Sequence, residues 1–393
     1  MDANILFPSI NSHPAISHCD NNPPAVIKII GIGGGGGNAV NDMIRAAISG
    51  VEFIAVNTDL QALRESLAPT KIQIGEKISK GLGVGGNPEN GRKAAQESMD
   101  ALEDIVKGAD MVFVTAGMGG GTGTGAAPIV AKIAKEADIL TVGVVIKPFN
   151  FEGSVRIKQA EEGIANINKE IDALIVVQNE KFNSMMDNQT KFSSLYPIVN
   201  DVLRQSVQAI TDTITKVGII NRDLADIRSI LKDAGNNVCI GVGMCENSGD
   251  LKEAFDRALQ KPLVDNFDIS KANKMLITLT SNSDTPATVL PNLDKIIKGF
   301  QMKNPHTYFG HYIDNNLGDK IKVTIMATGC YSNKMPKSVF LETKPLEPNP
   351  ITAPIQKELF DRNNNAAKDI NNDEKINFSE PAYLHYAPQK LNQ

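Results

Sequence analysis

Glycine is concentrated in two segments of the chain, each of which follows an apolar run. Residues 117–128 read GMGGGTGTGAAP and residues 31–40 read GIGGGGGNAV. Glycine lets a backbone curl around a phosphate, and the N–H groups at the start of a helix attract anions. Two such segments indicate one large anionic ligand held from two sides, as a nucleoside triphosphate would be.

The two glycine segments differ in specificity. Gly31, Gly33 and Gly36 satisfy the dinucleotide fingerprint GxGxxG, and Asp59 follows at the end of the next apolar run. A run of five glycines matches any such pattern, so a tight strand-to-helix turn and an NAD(P)-binding oxidoreductase both stay open here. The run GGGTGTG at 119–125 is more specific, because its threonines add hydroxyl donors. The chain contains no GxxxxGK[ST] motif, which excludes a P-loop enzyme.

A pair of carboxylates, Asp223 and Asp226, lies within NRDLAD at the start of a predicted helix. Three residues apart, both side chains fit on one helix face. On residue types alone, an N-cap at Asp223 with Asp226 near the first-turn amides is the simpler interpretation. By the same reasoning Asp201 is a solvated charge, and Glu152 with Arg156 is an ordinary helix pair.

Composition limits the class of protein. The chain has 393 residues, which predicts about two globular units plus tails, and its formal net charge of −5 argues against a general nucleic-acid binder. Its four cysteines form no CxxC pair, as expected of core thiols in a reducing cytosol. The first residues do not resemble a signal peptide, and the longest apolar runs are far shorter than a bilayer span.

The order of the apolar runs predicts the elements that position these residues. Between 26 and 192, apolar runs alternate with helix-like segments, which is typical of βαβ units and a parallel sheet with its ligand at the carboxyl ends of the strands. The predicted strands are 25–32, 51–58, 111–117, 139–146 and 173–179, and the predicted helices include 38–49, 90–106 and 125–136.

The second half of the chain has a different pattern. Residues 193–217 carry apolar side chains at helical spacing and predict a long buried helix. Residues 218–330 begin with a loop and a short helix and then combine strands with two further helices, which predicts an α+β layer. Beyond 330 the sequence is rich in Pro, Asn and Lys and predicts a flexible linker.

Six motifs occur in the order seen in the FtsZ family of tubulin-like bacterial cell-division GTPases: GIGGGGGNAV, FIAVNTD, GLGVGGNPE, GMGGGTGTGAAP, KPFNFEG and NRDLAD. The chain resembles this family over about residues 26–330. The resemblance implies a tubulin/FtsZ-like α/β fold with a parallel-sheet GTP-binding domain, a long central helix, a smaller α+β domain and a flexible tail. The implied division is a disordered segment 1–25, a GTP-binding domain 26–192, a central helix 193–217, a C-terminal domain 218–330 with the catalytic loop, a linker 331–375 and a partner-binding peptide 376–393.

The resemblance also implies a GTP/GDP site. The first glycine segment would contact the α- and β-phosphates, the second would hold the β/γ end, and residues 82–86 would sense the γ-phosphate. Glu152 and Arg156 would reach the ribose with Asn179 nearby, Asp201 would hydrogen-bond guanine, and Tyr196 would stack on the base. The implied glycine-segment and loop residues are Gly34, Gly35, Gly36, Gly37, Asn38, Gly85, Gly86, Gly120, Gly121, Thr122, Gly123 and Thr124.

In this family the loop containing NRDLAD acts on the neighbouring subunit. The resemblance therefore implies that Asn221, Asp223 and Asp226 reach the γ-phosphate of the next molecule, where the carboxylates position or activate water. Arg222 and Leu224 depart from the residues common in this loop. Hydrolysis would then require head-to-tail contact, which repeats into a filament. Mg²⁺ is expected mainly on phosphate oxygens and water, with no protein ligand.

The resemblance implies partners and a location as well. The protein would assemble with itself as part of the division ring, in the cytoplasm beneath the inner membrane, without nucleic acid and without inserting into the membrane. Residues 380–388, EPAYLHYAP, resemble the family's docking peptide for membrane-tethering and regulatory proteins through Pro381, Ala382 and Leu384. A non-hydrolysing tubulin-like scaffold is the remaining alternative, and the intact Asp223 and Asp226 argue against it.

Overall fold

The computed structural model describes residues 25–180, 192–216, 218–235, 238–246, 250–260, 269–299 and 306–330. The predicted linker 331–375 and peptide 376–393 lie outside these residues, as does the predicted segment 1–25 except for its last residue. Within the described residues, no helix combines the length and the apolar character needed to cross a membrane.

The first sheet is parallel throughout, in the order β3-β2-β1-β4-β5-β6. Ile27 and Ile29 of β1 face one core, whereas Ile30 and Ile32 face another, so the strand is buried on both sides. The chain order reverses between β1 and β4, where parallel sheets bind ligands beyond their carboxyl ends. The strands are β1 (Ile27–Ile32), β2 (Glu52–Asn57), β3 (Thr70–Gln73), β4 (Met111–Gly117), β5 (Leu140–Lys147) and β6 (Ala173–Gln178).

Seven helices from the same part of the chain flank this sheet. Buried residues of α1 belong to the core on one face, and buried residues of α4 to α7 belong to the core on the other. These helices are α1 (Gly33–Arg45), α2 (Leu60–Glu65), α3 (Glu76–Ser79), α4 (Pro88–Glu97), α5 (Met99–Val106), α6 (Thr122–Glu136) and α7 (Ser154–Ile167).

The predicted start of α1 was wrong by five residues, because the glycine run is itself the first part of the helix. Glycine is a poor helix former, which is why the prediction began at Asn38. Packing outweighs that preference here: a Cβ at Gly36 would lie 2.3 Å from the carbonyl oxygen of Thr115 in β4. The helix can approach the sheet this closely because position 36 has no side chain.

Three other elements differ from the prediction. The predicted helix 90–106 is two helices, α4 and α5, separated at Ser98, whose hydroxyl oxygen accepts a hydrogen bond from Gly75 N at 3.1 Å. Strand β3 was missed, because its sequence TKIQ is short and polar. The predicted helix 125–136 begins three residues earlier, at Thr122.

The central helix, α8 (Phe192–Thr215), has 24 residues and is therefore about 36 Å long. Its buried Leu203 and Ile210 share a core with residues of both sheets, including Met326 of the second. The buried Ser206 hydroxyl donates to Val202 O at 3.0 Å, which satisfies the polar residue on the apolar face. This helix therefore packs between the two sheets.

The second sheet is mixed, in the order β7-β10-β8-β9, with β8 and β9 parallel and the other pairs antiparallel. Both sheets belong to one compact unit. The predicted α/β class with a smaller α+β part is confirmed. Its elements are α9 (Leu224–Leu231), β7 (Val238–Cys245), α10 (Leu251–Gln260), β8 (Lys274–Ser281), α11 (Val289–Gly299), β9 (His306–Ile313) and β10 (Ile321–Thr328).

Candidate nucleotide site and acidic loop

The two glycine segments meet at the amino ends of α1 and α6. A Cβ at Gly33, which has φ +71°, would lie 2.8 Å from Gly123 N, and one at Gly35 would lie 3.0 Å from the Cα of Gly117. Both helices follow adjacent central strands, β1 and β4, so their first turns lie side by side at the carboxyl edge of the sheet. The structure thus brings both predicted phosphate-binding segments together.

Neither of these helix starts is capped by its own side chains. Ile32 before α1 and Gly121 before α6 make no side-chain cap hydrogen bond. By contrast, Asp59 caps α2, accepting from Gln61 N and Ala62 N, and Asn87 caps α4. The uncapped N–H groups of α1 and α6 suit an anionic ligand. Asp59 thus has the structural role of a helix cap through its Oδ1.

The glycines of α1 divide into two groups. A Cβ at Gly34 or Gly37 would meet nothing within 4 Å, and neither residue has the positive φ that favours glycine. Gly35 and Gly36 instead pack against β4. Gly34 and Gly37 border a cavity of about 310 Å³, together with Asn38. Nothing among the described residues requires glycine at 34 and 37, so both positions leave room for a ligand to approach the backbone closely.

The predicted γ-phosphate loop lies against the second glycine segment. A Cβ at Gly121 would come within 2.5 Å of Val84 Cγ2, so the two segments touch. Gly85 and Gly86 have φ of +56° and +74° and open space around them. Gly83 N donates to Thr58 O at 3.3 Å, which fixes the loop to the end of β2.

Threonine hydroxyls tie these segments together. Thr122 Oγ1 lies 2.7 Å from Thr58 Oγ1 in the interior, and Thr124 Oγ1 accepts from Gly119 N at 2.8 Å. Both predicted hydroxyls therefore have protein partners, but Thr124 accepts in its contact, so its O–H is not used in that bond. Thr58 was missed as a site residue, although it lies in the quoted motif FIAVNTD.

The predicted ribose residues lie beside the second glycine segment. Arg156 Nε is 3.2 Å from Glu152 Oε2, and Glu152 Oε1 accepts from Phe149 N at 2.9 Å. A Cβ at Gly119 would lie 2.5 Å from Arg156 O. The ion pair expected from the spacing is present next to the second glycine segment, but it is not within one helix, because Glu152 lies in a short turn that precedes α7.

An aromatic group stands where the base is predicted. Phe149 stacks on Phe151 with a centroid distance of 5.0 Å and meets Tyr196 edge-on at 6.2 Å. Tyr196 is 45% exposed, so part of its ring faces solvent. The first turns of α8 therefore lie next to the segment that carries Glu152.

Asp201 and Asn179 are the two remaining residues predicted to contact the nucleoside. Asp201 accepts from Arg204 Nε at 2.7 Å and from Gln205 Nε2 at 2.6 Å, so its carboxylate is oriented by its own helix. Asn179, directly after β6, is buried, and its Oδ1 has no hydrogen-bond partner among the described residues. A buried amide oxygen without a donor is costly unless a ligand or water supplies one.

The acidic loop is organised by hydrogen bonds within its own chain. Asp223 caps α9 and accepts from Asp226 N at 2.9 Å, and Asn221 Oδ1 accepts from Gly218 N at 2.5 Å. Asp226 pairs with Arg222, with Nη1 3.3 Å from Oδ2. The cap predicted from residue types is therefore present.

Strand β9 holds this loop. Ile219 N donates to His311 O at 2.8 Å, and His311 N donates to Ile220 O at 3.1 Å. The His311 ring nitrogen Nε2 lies 3.0 Å from Ser281 Oγ, and burial lowers the pKa of His311. Burial also raises the pKa of Tyr312, whose hydroxyl donates to Thr213 O. Both side chains are thus neutral at pH 7 and support the loop without adding charge.

The acidic loop lies far from the glycine segments of the same chain. Asp201 lies in the first half of α8, and the loop follows the end of that helix, about 21 Å farther along the helix axis. Arg228 of α9 is 3.6 Å from Asp138, which precedes β5 at the amino edge of the first sheet. The structure does not bring Asn221, Asp223 and Asp226 to the other predicted site residues.

Comparisons with known proteins agree with this geometry. Residues 26–187 match the Tubulin/FtsZ family GTPase domain and residues 236–331 match the FtsZ family C-terminal domain. The cell division protein FtsZ of Buchnera aphidicola subsp. Baizongia pistaciae (strain Bp) is 45% identical over 308 residues, 78% of this chain and 80% of that protein. The protein of the same name from Wigglesworthia glossinidia brevipalpis is 40% identical over 352 residues, 90% and 91% of the two chains.

A solved structure is also similar. The empty FtsZ dimer of M. jannaschii has a TM-score of 0.72 and 36% sequence identity, over 78% of this chain and 89% of that one. These matches do not favour the oxidoreductase alternative. The chain belongs to the Tubulin/FtsZ family and is a tubulin-like cell-division GTPase that binds and hydrolyses GTP.

Proposed function

We propose that the triphosphate of GTP lies across the amino ends of α1 and α6. Two uncapped helix starts and the open positions Gly34 and Gly37 support this placement. In the proposal Glu152 and Arg156 contact the ribose, and Tyr196 and Asp201 contact the base. The carboxylate of Asp201 accepts from both N1–H and the amine of guanine, a pairing that adenine lacks. Asn179 Oδ1 receives a donor from the nucleotide.

We propose that Mg²⁺ binds with the nucleotide through phosphate oxygens and water, where it neutralises charge on the β- and γ-phosphates. Among the described residues, no group of three or more His, Cys, Asp or Glu side chains could hold a metal. We therefore place the ion on the nucleotide and assign it no protein ligand.

Hydrolysis, in this proposal, uses the acids of a second copy. Phosphoryl transfer to water needs an oriented water molecule and charge neutralisation. Asp223 and Asp226 are suited to orient the water molecule. They lie, however, at the opposite end of α8 from the glycine segments of their own chain. That separation is the observation that carries the proposal: stacking copies head to tail places the acidic loop of one over the γ-phosphate of the next.

Exposed apolar side chains support such stacking at both ends. We call the part of the surface that carries the glycine segments, residues 82–86 and Glu152 the nucleotide edge. Its exposed apolar side chains are Leu82 (86% exposed), Phe151 (63%) and Val155 (71%). Beside the acids, Ile219 is 68% exposed. Large apolar side chains this exposed are typical of interaction sites when they cluster. A contact between unlike ends does not close on itself, so it repeats into a filament.

The filament would act in the cytoplasm at the mid-cell ring beneath the inner membrane. The C-terminal peptide 376–393 would dock membrane-tethering and regulatory division proteins, through the motif at 380–388. Shortening the chain after residue 330 should therefore leave GTP-dependent polymerisation intact while removing binding to those partners. Loss of polymerisation would show that the tail has a structural role instead.

The proposal is tested by measuring phosphate release while Asp226→Asn protein is added to a fixed amount of wild type. The variant keeps its nucleotide edge, so it should join filaments and lower the rate per wild-type subunit. Asp233→Asn, an exposed carboxylate just after α9, is the matched control and should have no effect. A rate unaffected by the Asp226 variant would contradict a shared site.

A further inference from the structure

Arg222 holds the proposed catalytic acid Asp226 and the second sheet at the same time. Its Nε donates to Phe309 O at 2.8 Å, and its Nη1 lies 3.3 Å from Asp226 Oδ2. The guanidinium carbon also lies 5.8 Å from the centroid of the Tyr308 ring. One planar group thus links a carboxylate on α9 to two neighbouring residues of β9.

Strand β9 is a firm anchor for this link. It is hydrogen-bonded along its length to β8, and its outer edge pairs with the acidic loop through Ile219 and Ile220. Gly218 approaches His311 so closely that a Cβ would lie 2.3 Å from His311 O. The backbone just before Arg222 is therefore fixed relative to β9.

The carboxylate of Asp226 has little else to orient it. Its backbone N–H is used by Asp223, and the described residues offer no hydrogen bond to its Oδ1. The rigid guanidinium occupies Oδ2 and leaves Oδ1 for an external group. A lysine could contact either partner of Arg222, but its single ammonium does not reproduce the fork.

We propose that Arg222 is a positioning residue, which sets the rotamer of Asp226 so that Oδ1 meets the water that attacks the neighbouring subunit's γ-phosphate. The inference rests on the proposed function, because it assumes that Asp226 acts across the interface. Small misplacement of a reacting group costs large factors in rate, whereas a partly exposed ion pair contributes little to stability. Arg222 therefore acts on turnover and not on folding or assembly.

The test compares Arg222→Gln, Arg222→Lys and wild type at saturating GTP and at protein concentrations well above the threshold for assembly. We expect kcat to fall about tenfold in R222Q and by a smaller factor in R222K, with KM for GTP unchanged. Pelleting with a slowly hydrolysed GTP analogue and thermal unfolding should match wild type. Arg228→Gln is the matched control, because Arg228 lies on the same helix and pairs with Asp138 instead.

A double variant tests the positioning role of Arg222 separately from the proposed action of Asp226 on the neighbouring subunit. If Arg222 acts through Asp226, R222Q combined with D226N should hydrolyse GTP no more slowly than D226N alone. A further tenfold loss, a wild-type rate in R222Q, or a loss of assembly or thermal stability would overturn the positioning role. Full activity in D226N would instead refute the proposed function, whatever R222Q does.

Discussion

The two ends of the central helix differ in how far their polar groups are already hydrogen-bonded within the chain. At the nucleotide edge, α1 and α6 begin without side-chain caps, and Gly34 and Gly37 leave open space over the backbone. At the acidic end, Asp223 caps α9 and Asp226 pairs with Arg222. The first surface has donors available for a ligand, whereas the second has its charges partly satisfied inside the chain. This difference is what the proposed shared site requires, in which one copy binds GTP and a second copy supplies the acids for hydrolysis.

The largest effect should come from the acidic end. Replacing Asp226 with Asn removes the charge while keeping the shape, and we expect kcat to fall about 100-fold or more, the scale of a lost acid–base or water-orienting group. GTP affinity should not change, because the nucleotide edge is untouched. Stopped-flow or steady-state phosphate release together with equilibrium binding of a fluorescent GTP separates the two. A loss of affinity equal to the loss of rate would place Asp226 at its own chain's nucleotide.

A substitution at the nucleotide edge should instead weaken GTP binding. A leucine at Gly34 fits the helix but fills the space over the backbone N–H groups, and losing two charge-assisted hydrogen bonds weakens GTP binding by about 100-fold or more. The fold should be unharmed or slightly stabilised, since glycine is the weaker helix former. Isothermal titration and thermal unfolding check both points. Unchanged affinity would remove Gly34 from the site.

Gly36 provides the matched contrast within the same helix. An alanine there would place a methyl 2.3 Å from Thr115 O, so we expect the free energy of unfolding to fall by about 1–3 kcal/mol through overpacking. Gly34→Ala should not destabilise at all. Chemical denaturation of the two variants gives the comparison, and equal stability would refute the division of these glycines into packing and ligand-facing groups.

The smallest effect concerns the cap at Asp223. Alanine there should cost about 1 kcal/mol of stability, whereas serine, which can also cap a helix, should cost almost none. Both should slow hydrolysis, because both remove the carboxylate. Denaturation curves and phosphate release on the same samples test this. Full activity in Asp223→Ser would leave Asp223 with a capping role alone.

Local pattern predicted much of the fold. Strand β4 has the predicted bounds, because it is a strongly apolar run between turn residues. The start of α1 was mispredicted because glycine in a helix is explained by contact with Thr115, which is distant in sequence. For the same reason, the link from Asn200 Nδ2 to Asp42 Oδ2 (2.7 Å) between α8 and α1 was not foreseen.

Residue types and spacing predicted less of the candidate site than of the fold. The glycine segments pointed to a phosphate ligand on their own, because their composition has few other physical uses. The roles of Asp201 and Asp226 came from the family resemblance, since single carboxylates on helices carry no distinctive pattern. The contacts of Arg222 with Phe309 and Asp226 depend on tertiary placement of β9 and were not predictable from spacing.

The most direct test of the shared site mixes two variants that are each inactive. Gly34→Leu protein keeps its acids but should bind GTP about 100-fold or more weakly, whereas Asp226→Asn protein binds GTP but lacks the acid. If the acid of one copy serves the nucleotide of the next, the mixture should release phosphate well above the sum of the separate rates. A mixture that releases no more than that sum would contradict the account.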